Sequence, residues 1–180
     1  MNFIDINNNK KNKNKLNLFK KYGTICYKLN KTSLKPKNCC FDYDETLASL
    51  RTSNPKKNVV EILNKLSLKY NIIIFSNQKG VSSGKTTNVE VQKLIDDFCT
   101  KVDIPISIFY STTDDENRKP MIGMFNFAKK LFEKTKFKYY CGDAAGRQGD
   151  FSISDLYFAN NAGIKFKTPE EVFNNQKNIQ

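Results

Sequence analysis

The chain has 180 residues, long enough for one well-buried core and short for two independent domains. Thirty Lys and Arg against 18 Asp and Glu leave a net charge of +12, which points to an anionic partner such as nucleic acid, a membrane surface or an acidic substrate, with simply solvated lysines as the bland alternative. Histidine is absent, which excludes Ser-His-Asp and Cys-His catalysis, histidine phosphoenzymes and His-ligated metals, and leaves any chemistry to carboxylates, Cys, Lys, Arg and hydroxyls.

Residues 1–22 read as a basic, Asn- and Lys-rich arm, expected to be mobile, and within it 7–21 is low in complexity and suited to phosphate contacts. The remainder, 23–180, reads as one domain. The amino terminus lacks the apolar core of a signal peptide, and no apolar run approaches the ~20 residues of a membrane helix, so a soluble protein is expected. Cys26, Cys39, Cys40, Cys99 and Cys141 are odd in number and lack C-x-x-C spacing. That argues against a disulfide framework, a disulfide-linked partner or a zinc site, and for a reducing, intracellular compartment, nucleus or cytoplasm.

From residue 39 short apolar runs alternate with helical ones. Strands are predicted over 39–43, 71–77, 104–111, 136–142 and 156–160, and helices over 59–70, 89–102 and 121–132, the second with Val91, Leu94, Ile95, Phe98 and Val102 at helical spacing. Such alternation predicts an α/β fold with a parallel, doubly wound sheet. Ligands in these sheets sit beyond the carboxyl ends of the strands, so the loops beginning at Asp42, Ser76, Ser111 and Gly142 are the ones to inspect.

The first loop carries Asp42 and Asp44, two residues apart at a strand end, where the period-two pleat points both the same way. Alone, a D-x-D is ordinarily a solvated turn or a helix cap. The second begins Ser76-Asn77-Gln78, a hydroxyl and two amides able to hold phosphoryl oxygens. Arg118-Lys119-Pro120 supplies two cations before a helix, and Cys141-Gly142-Asp143 releases another carboxylate from a strand.

In that order these residues resemble the four motifs of the haloacid dehalogenase superfamily: D-x-D, a strand-end Ser or Thr, a Lys, and Gly-Asp. The resemblance narrows through Ser76-Asn-Gln-x-Gly80, Arg118-Lys119-Pro-x-x-Gly-Met124, Gly142-Asp-Ala-Ala-Gly-Arg147, Asp150-Phe-Ser-x-x-Asp155, Phe158-Ala-x-Asn161 and Thr168-Pro-Glu-Glu171. Together, over roughly residues 16–173, they are similar to the 3′-phosphatase domain of polynucleotide kinase/phosphatase. The resemblance implies a Rossmann-like sheet and a Mg²⁺-dependent phosphatase acting on the 3′-phosphate of DNA or RNA ends, in the end processing that accompanies repair. It implies Asp42 as nucleophile, Asp44 as general acid and then base, Ser76 on a phosphoryl oxygen, and Lys119 balancing charge. Mg²⁺ would be held by the Asp42 side chain, the Asp44 main-chain carbonyl and the Asp143 side chain.

About fifteen residues separate the first motif from the next helical run, and an ordinary helix and strand fill the segment from Ser76 to Lys119, so no large cap domain fits over the site. An uncapped site admits a polymer end. Asn77, Gln78, Lys79, Lys85, Arg118 and Arg147 are the expected substrate contacts, with Arg51, Lys56 and Lys57 nearby and a monomer as the acting unit. A small-molecule phosphatase of the same fold, acting on sugar or histidinol phosphates, and an inactive nucleic-acid-binding module are the alternatives. The latter is prompted by Glu45, which stands where the family usually has Gly.

Other readings compete locally. Cys141 to Arg147 has the C-x₅-R spacing of thiolate phosphatases, but Asp143 would sit inside the phosphate cradle and repel the substrate. Gly80 to Thr86 resembles a nucleotide phosphate loop with three residues between its glycines, where a Walker A motif needs four. Asp150 and Asp155 are candidates for outer support of a metal or for local turn caps, with a cap favoured for Asp155. Only Gln148-Gly149 separates Arg147 from Asp150, which shortens a substrate-side loop.

Overall fold

A computed structural model describes residues 18–174. Its elements in chain order are β1 (Lys20–Tyr22), β2 (Ile25–Lys28), β3 (Lys37–Phe41), α1 (Val59–Ser67), β4 (Asn71–Asn77), α2 (Asn88–Val102), β5 (Ile106–Ser111), α3 (Gly123–Leu131), β6 (Lys136–Cys141), α4 (Ser154–Ala162), β7 (Lys165–Lys167) and a π-helical turn at Glu170–Asn174. The strands form one seven-stranded sheet in the order β1-β2-β5-β4-β3-β6-β7. From β5 across to β7 neighbouring strands are parallel, while β1 and β2 add an antiparallel edge beside β5.

The sheet is buried on both faces because its central strands are apolar in consecutive positions. On β4, Ile72 and Ile74 join the core formed with α1 and α2, whereas Ile73 and Phe75 join the core formed with α3 and α4. Helix α2 starts at a capping box: the Thr87 hydroxyl accepts from the Glu90 N–H at 3.2 Å, and the Glu90 carboxylate accepts from the Thr87 N–H at 2.7 Å.

The stretch 156–160, predicted as a strand, is instead the middle of α4, which ends at Gly163 in the left-handed conformation. A four-residue apolar run, Leu156 to Ala159, does not distinguish strand from helix by itself, and Gly163 is the stop signal that decides it. β1, β2 and β7, of three, four and three residues, are too short to register as strands by periodicity. Residues 20–22, assigned by composition to the basic arm, are the edge strand β1. It is pinned where the Tyr22 ring stacks on Phe127 with centroids 4.2 Å apart. The rest of the arm, 1–17, lies outside the described residues.

Topology then creates the crevice. From β3 the chain adds β4 and β5 on one side and returns to place β6 on the other side of β3, so the connections diverge between β3 and β6. The β3–β4 connection holds α1 and the β4–β5 connection holds α2, and neither contains an inserted domain, in accord with an uncapped site. All five cysteines are free, and no described helix is long and apolar enough to cross a membrane.

Candidate active site

Asp42 is the first residue after β3, and its N–H donates to the Cys141 carbonyl at 2.8 Å, extending the β3–β6 ladder into the crevice. That register sets Asp42 beside Gly142 and Asp143. Asp155, from the first turn of α4, completes a group of three carboxylates whose ligand oxygens all lie within 4.8 Å of one another. One cation sits among them. Lys119, only 3% exposed, donates from Nζ to Asp42 Oδ1, to Asp155 Oδ1 at 2.8 Å and to the Tyr140 hydroxyl at 2.6 Å. The Tyr140 hydroxyl in turn donates to Asp155 Oδ1 at 2.8 Å, and the Ala144 N–H donates to Asp155 Oδ2 at 3.1 Å.

Asp155 is therefore no turn cap but a buried partner of Lys119, the signal for which was its spacing. Asp155, Phe158 and Ala159 stand three and four apart, on one face of α4, and all three are buried. Asp150 does cap its turn, accepting from the Ala145 and Arg147 N–H groups. Gly142 follows from the same packing. A Cβ there would lie 2.4 Å from the Asp155 carboxyl carbon, so Gly142→Ala is expected to lower stability by about 1–3 kcal/mol in urea melts and to displace Asp155.

Burial pushes the Asp42 carboxyl well above the usual range; Lys119 opposes this, while Asp155 and Asp143 add to it. Burial also raises Asp143, with Asp155 reinforcing it and the Thr46 hydroxyl opposing it. Burial pulls the Lys119 ammonium down, but Asp155 and Asp42 outweigh it and leave Lys119 raised. Three carboxylates facing one ammonium leave two charges without a counter-charge when all are ionised, and the donors are all oxygens. That donor set and charge deficit suit a hard divalent cation.

For Asp42 and Asp143 the folded state holds protons that the unfolded state has already released above about pH 4, so their contribution is complete below that value and is lost as pH rises toward the raised folded values. A divalent cation removes the same penalty. The metal-induced rise in Tm is therefore expected to be larger near about pH 8 than near about pH 5, read by thermal melts with and without chelator.

Thr46 locks Asp143, its hydroxyl donating to Asp143 Oδ1 and accepting from the Asp143 N–H, both at 3.0 Å. Neither Thr46 nor Tyr140 was picked out by sequence pattern, because a buried hydroxyl shows no periodicity of its own. Asp44 lines the same cleft as Asp42 but does not join the acid cluster: the chain turns at buried Tyr43 and sends the Asp44 carboxylate elsewhere. There Oδ1 accepts from the Arg51 N–H and Oδ2 from Gln78 Nε2, each at 2.9 Å. Gln78 Nε2 also donates to the Ser76 hydroxyl at 2.9 Å, so Ser76, Gln78 and Asp44 form one linked row.

The remaining predicted contacts divide. Asn77 lines the cleft but binds the Lys119 main chain at both ends of its amide: Nδ2 donates to the Lys119 carbonyl at 3.0 Å, and Oδ1 accepts from its N–H at 2.9 Å. It fixes Lys119 rather than offering its amide to a ligand. Lys79, Lys85 and Arg118 line a cleft of about 740 Å³, Lys79 and Arg118 both paired with Asp114 at its rim. Arg147 is absent from that lining. Its guanidinium is taken by Asp150, by Glu170 at 2.9 Å and by the Asp143 carbonyl at 3.2 Å, so it clasps the loop after β6 to the carboxyl-terminal turn. Cys141 is buried, and burial pushes its thiol well up, with Asp155 and Asp42 adding to the effect, which disfavours the thiolate that a cysteine phosphatase needs. The Gly80–Thr86 segment contributes Gly80, Lys85 and Thr86 to the wall of the carboxylate cleft.

Comparison with known proteins agrees with this geometry. The family model described as polynucleotide kinase 3 phosphatase matches residues 37–173. The bifunctional polynucleotide phosphatase/kinase of Schizosaccharomyces pombe is 40% identical over an alignment of 111 positions that covers 58% of this chain and 26% of that protein. An uncharacterized 20.8 kDa protein from the FGF-VUBI intergenic region of Autographa californica nuclear polyhedrosis virus is 33% identical over an alignment of 163 positions that covers 81% of this chain and 90% of that protein. Thus the chain spans about a quarter of the yeast relative and most of the viral one. Among solved structures, the D,D-heptose 1,7-bisphosphate phosphatase of B. bronchiseptica, complexed with magnesium and phosphate, superposes with a TM-score of 0.61 at 15% identity, covering 72% of this chain and 78% of that one. A putative HAD-like phosphatase from Mesorhizobium loti superposes with a TM-score of 0.63 at 14% identity, covering 79% of this chain and 78% of that one, so the fold is the haloacid dehalogenase-like one. With the family model matching residues 37–173, the chain belongs to the polynucleotide kinase 3 phosphatase family.

Proposed function

We propose that the chain removes the 3′-phosphate from polynucleotide ends, DNA foremost, with Mg²⁺ and through an aspartyl-phosphate on Asp42, as a step in end repair. The observation that carries this reading is the cluster of buried Asp42 and Asp155, both paired with Lys119, and half-buried Asp143, at an uncapped sheet end, in a chain of this family. Asp42 Oδ1 is held by Lys119, while Oδ2 accepts from no donor among the described residues and is the atom assigned to attack. In the first step the Asp42 oxygen–phosphorus bond forms, the bond from phosphorus to the 3′ oxygen breaks, and Asp44 gives that oxygen its proton. In the second, water attacks phosphorus, Asp44 takes the water's proton, and the Asp42 carboxylate is restored.

Ser76 is assigned to a phosphoryl oxygen. Mg²⁺, held by Asp42, Asp143 and the Asp44 main-chain carbonyl, would supply charge neutralisation between carboxylate and phosphate. Asp155, whose oxygens already accept from Lys119, Tyr140 and Ala144, supports the cluster from behind.

Lys79, Lys85 and Arg118 on the cleft wall are assigned to the flanking phosphodiesters, with the basic arm as a further phosphate contact. One chain builds the whole cleft, so a monomer is the proposed acting unit, and the free thiols accord with work in a reducing, intracellular setting. The test compares phosphate release from 3′-phosphorylated and 5′-phosphorylated oligonucleotides, a sugar phosphate and histidinol phosphate over a salt series. Preference for the 3′-phosphorylated oligonucleotide, with KM rising steeply with salt, is the expected result. Salt-independent turnover confined to the small molecules would replace this function with the small-molecule reading, and oligonucleotide binding without release would leave a binding module.

A further inference from the structure

Glu45 has no part in the reaction assigned above, yet its backbone φ of 57° lies in the left-handed region, where glycine is the easier residue. An observed outlier next to a catalytic group asks what its side chain does there. The Glu45 carboxylate ties a loop shut: Oε1 accepts from the Leu50 N–H and Oε2 from Lys56 Nζ at 3.0 Å. The same Lys56 Nζ donates to the Glu45 carbonyl at 2.7 Å. Main-chain bonds reinforce the closure, from Glu45 N–H to the Ala48 carbonyl at 2.8 Å and from Lys56 N–H to the Leu47 carbonyl at 2.9 Å. From beneath, the buried Tyr43 hydroxyl donates to the Thr52 carbonyl at 2.9 Å.

The next peptide N–H after Leu50 belongs to Arg51, and it donates to Asp44 Oδ1. Two consecutive N–H groups of the loop tip are therefore bound by two consecutive carboxylates, Glu45 and Asp44. Gln78 holds the other oxygen of Asp44. Whatever fixes Leu50 also fixes the donor that sets the rotation of the Asp44 carboxylate.

We propose that Glu45 is a positioning residue: by anchoring the Leu50 N–H it holds the loop tip so that the Arg51 N–H orients Asp44 for proton transfer to the leaving oxygen. This rests on the reading of Asp44 as the general acid. A mere loop brace would alter stability and would affect all substrates alike, whereas a device that orients an acid matters only where the leaving group needs a proton.

The experiment measures kcat/KM, which reports the steps through loss of the leaving group, for wild type, Glu45→Gly and Glu45→Gln. The substrates are a 3′-phosphorylated oligonucleotide, whose alkoxide must be protonated, and a nitrophenyl phosphate, whose phenolate departs unaided. Glu45→Gly removes the clasp and relieves the positive φ, so its Tm is expected to match or exceed the wild type. Its kcat/KM is expected to fall about tenfold or more on the oligonucleotide and less than about twofold on the aryl ester, with Glu45→Gln in between. Equal losses on both substrates, or none on either, would overturn the proposal. Should Glu45→Gly fold poorly, the same ratio read on Glu45→Gln decides it. A wild type that releases no 3′-phosphate defeats the proposed function and this inference with it, while an active wild type with unselective variants defeats the inference alone.

Discussion

Asp42→Asn is expected to lower kcat for 3′-phosphate release on the order of 10⁴-fold or more, the size of effect that accompanies loss of a covalent nucleophile. The substitution keeps the shape of the side chain and takes away only its charge and nucleophilicity. Stability is expected to move the other way. Burial and the neighbouring Asp155 and Asp143 carboxylates disfavour the charged Asp42, so a neutral amide beside Lys119 relieves crowding in the metal-free protein. An unchanged or raised metal-free Tm together with lost turnover distinguishes removal of a nucleophile from collapse of the site. Turnover within about tenfold of wild type would place the nucleophile elsewhere.

Lys119→Met is expected to cost about 3–5 kcal/mol at neutral pH, the penalty of stranding buried charges, because Asp42 and Asp155 then face each other with no cation. Tyr140 loses a donor to its hydroxyl in the same change. A second substitution locates the cause: Lys119→Met with Asp155→Asn is expected to recover part of the loss in urea melts while phosphate release stays low, since one of the stranded charges has gone. A Lys119→Met protein that melts like wild type at neutral pH would show that the ammonium is not what holds the two acids together.

What could be read from sequence follows physical lines. The central strands were legible because a strand buried on both faces must be apolar at successive positions, as in Ile72 to Phe75. The convergence of two of the clustered carboxylates was legible because Asp42 and Asp143 interrupt such runs at strand ends, where the crevice of a doubly wound sheet lies. Partner choice was not. Arg147 sits in a motif with Asp143, yet its guanidinium turns to Asp150 and Glu170, a preference set by loops whose paths depend on the finished fold. Asn77 carries the right amide for a phosphoryl oxygen and gives it to the Lys119 main chain. Asp155 was hidden by the misreading of α4 as a strand, which took Phe158 and Ala159 off its face. The edge strand at Lys20–Tyr22 was hidden by its lysines, which suit an exposed sheet edge as well as a basic arm.

The most direct test of the central claim is to quench the protein in acid during turnover of a 3′-phosphorylated oligonucleotide and to map covalent phosphate by peptide mass spectrometry. Phosphate on the peptide carrying Asp42, labile to hydroxylamine and lost in chelator, is the predicted result. Steady turnover with no adduct, or an adduct on Cys141 or any other residue, would contradict the assignment of Asp42 as the group that attacks phosphorus.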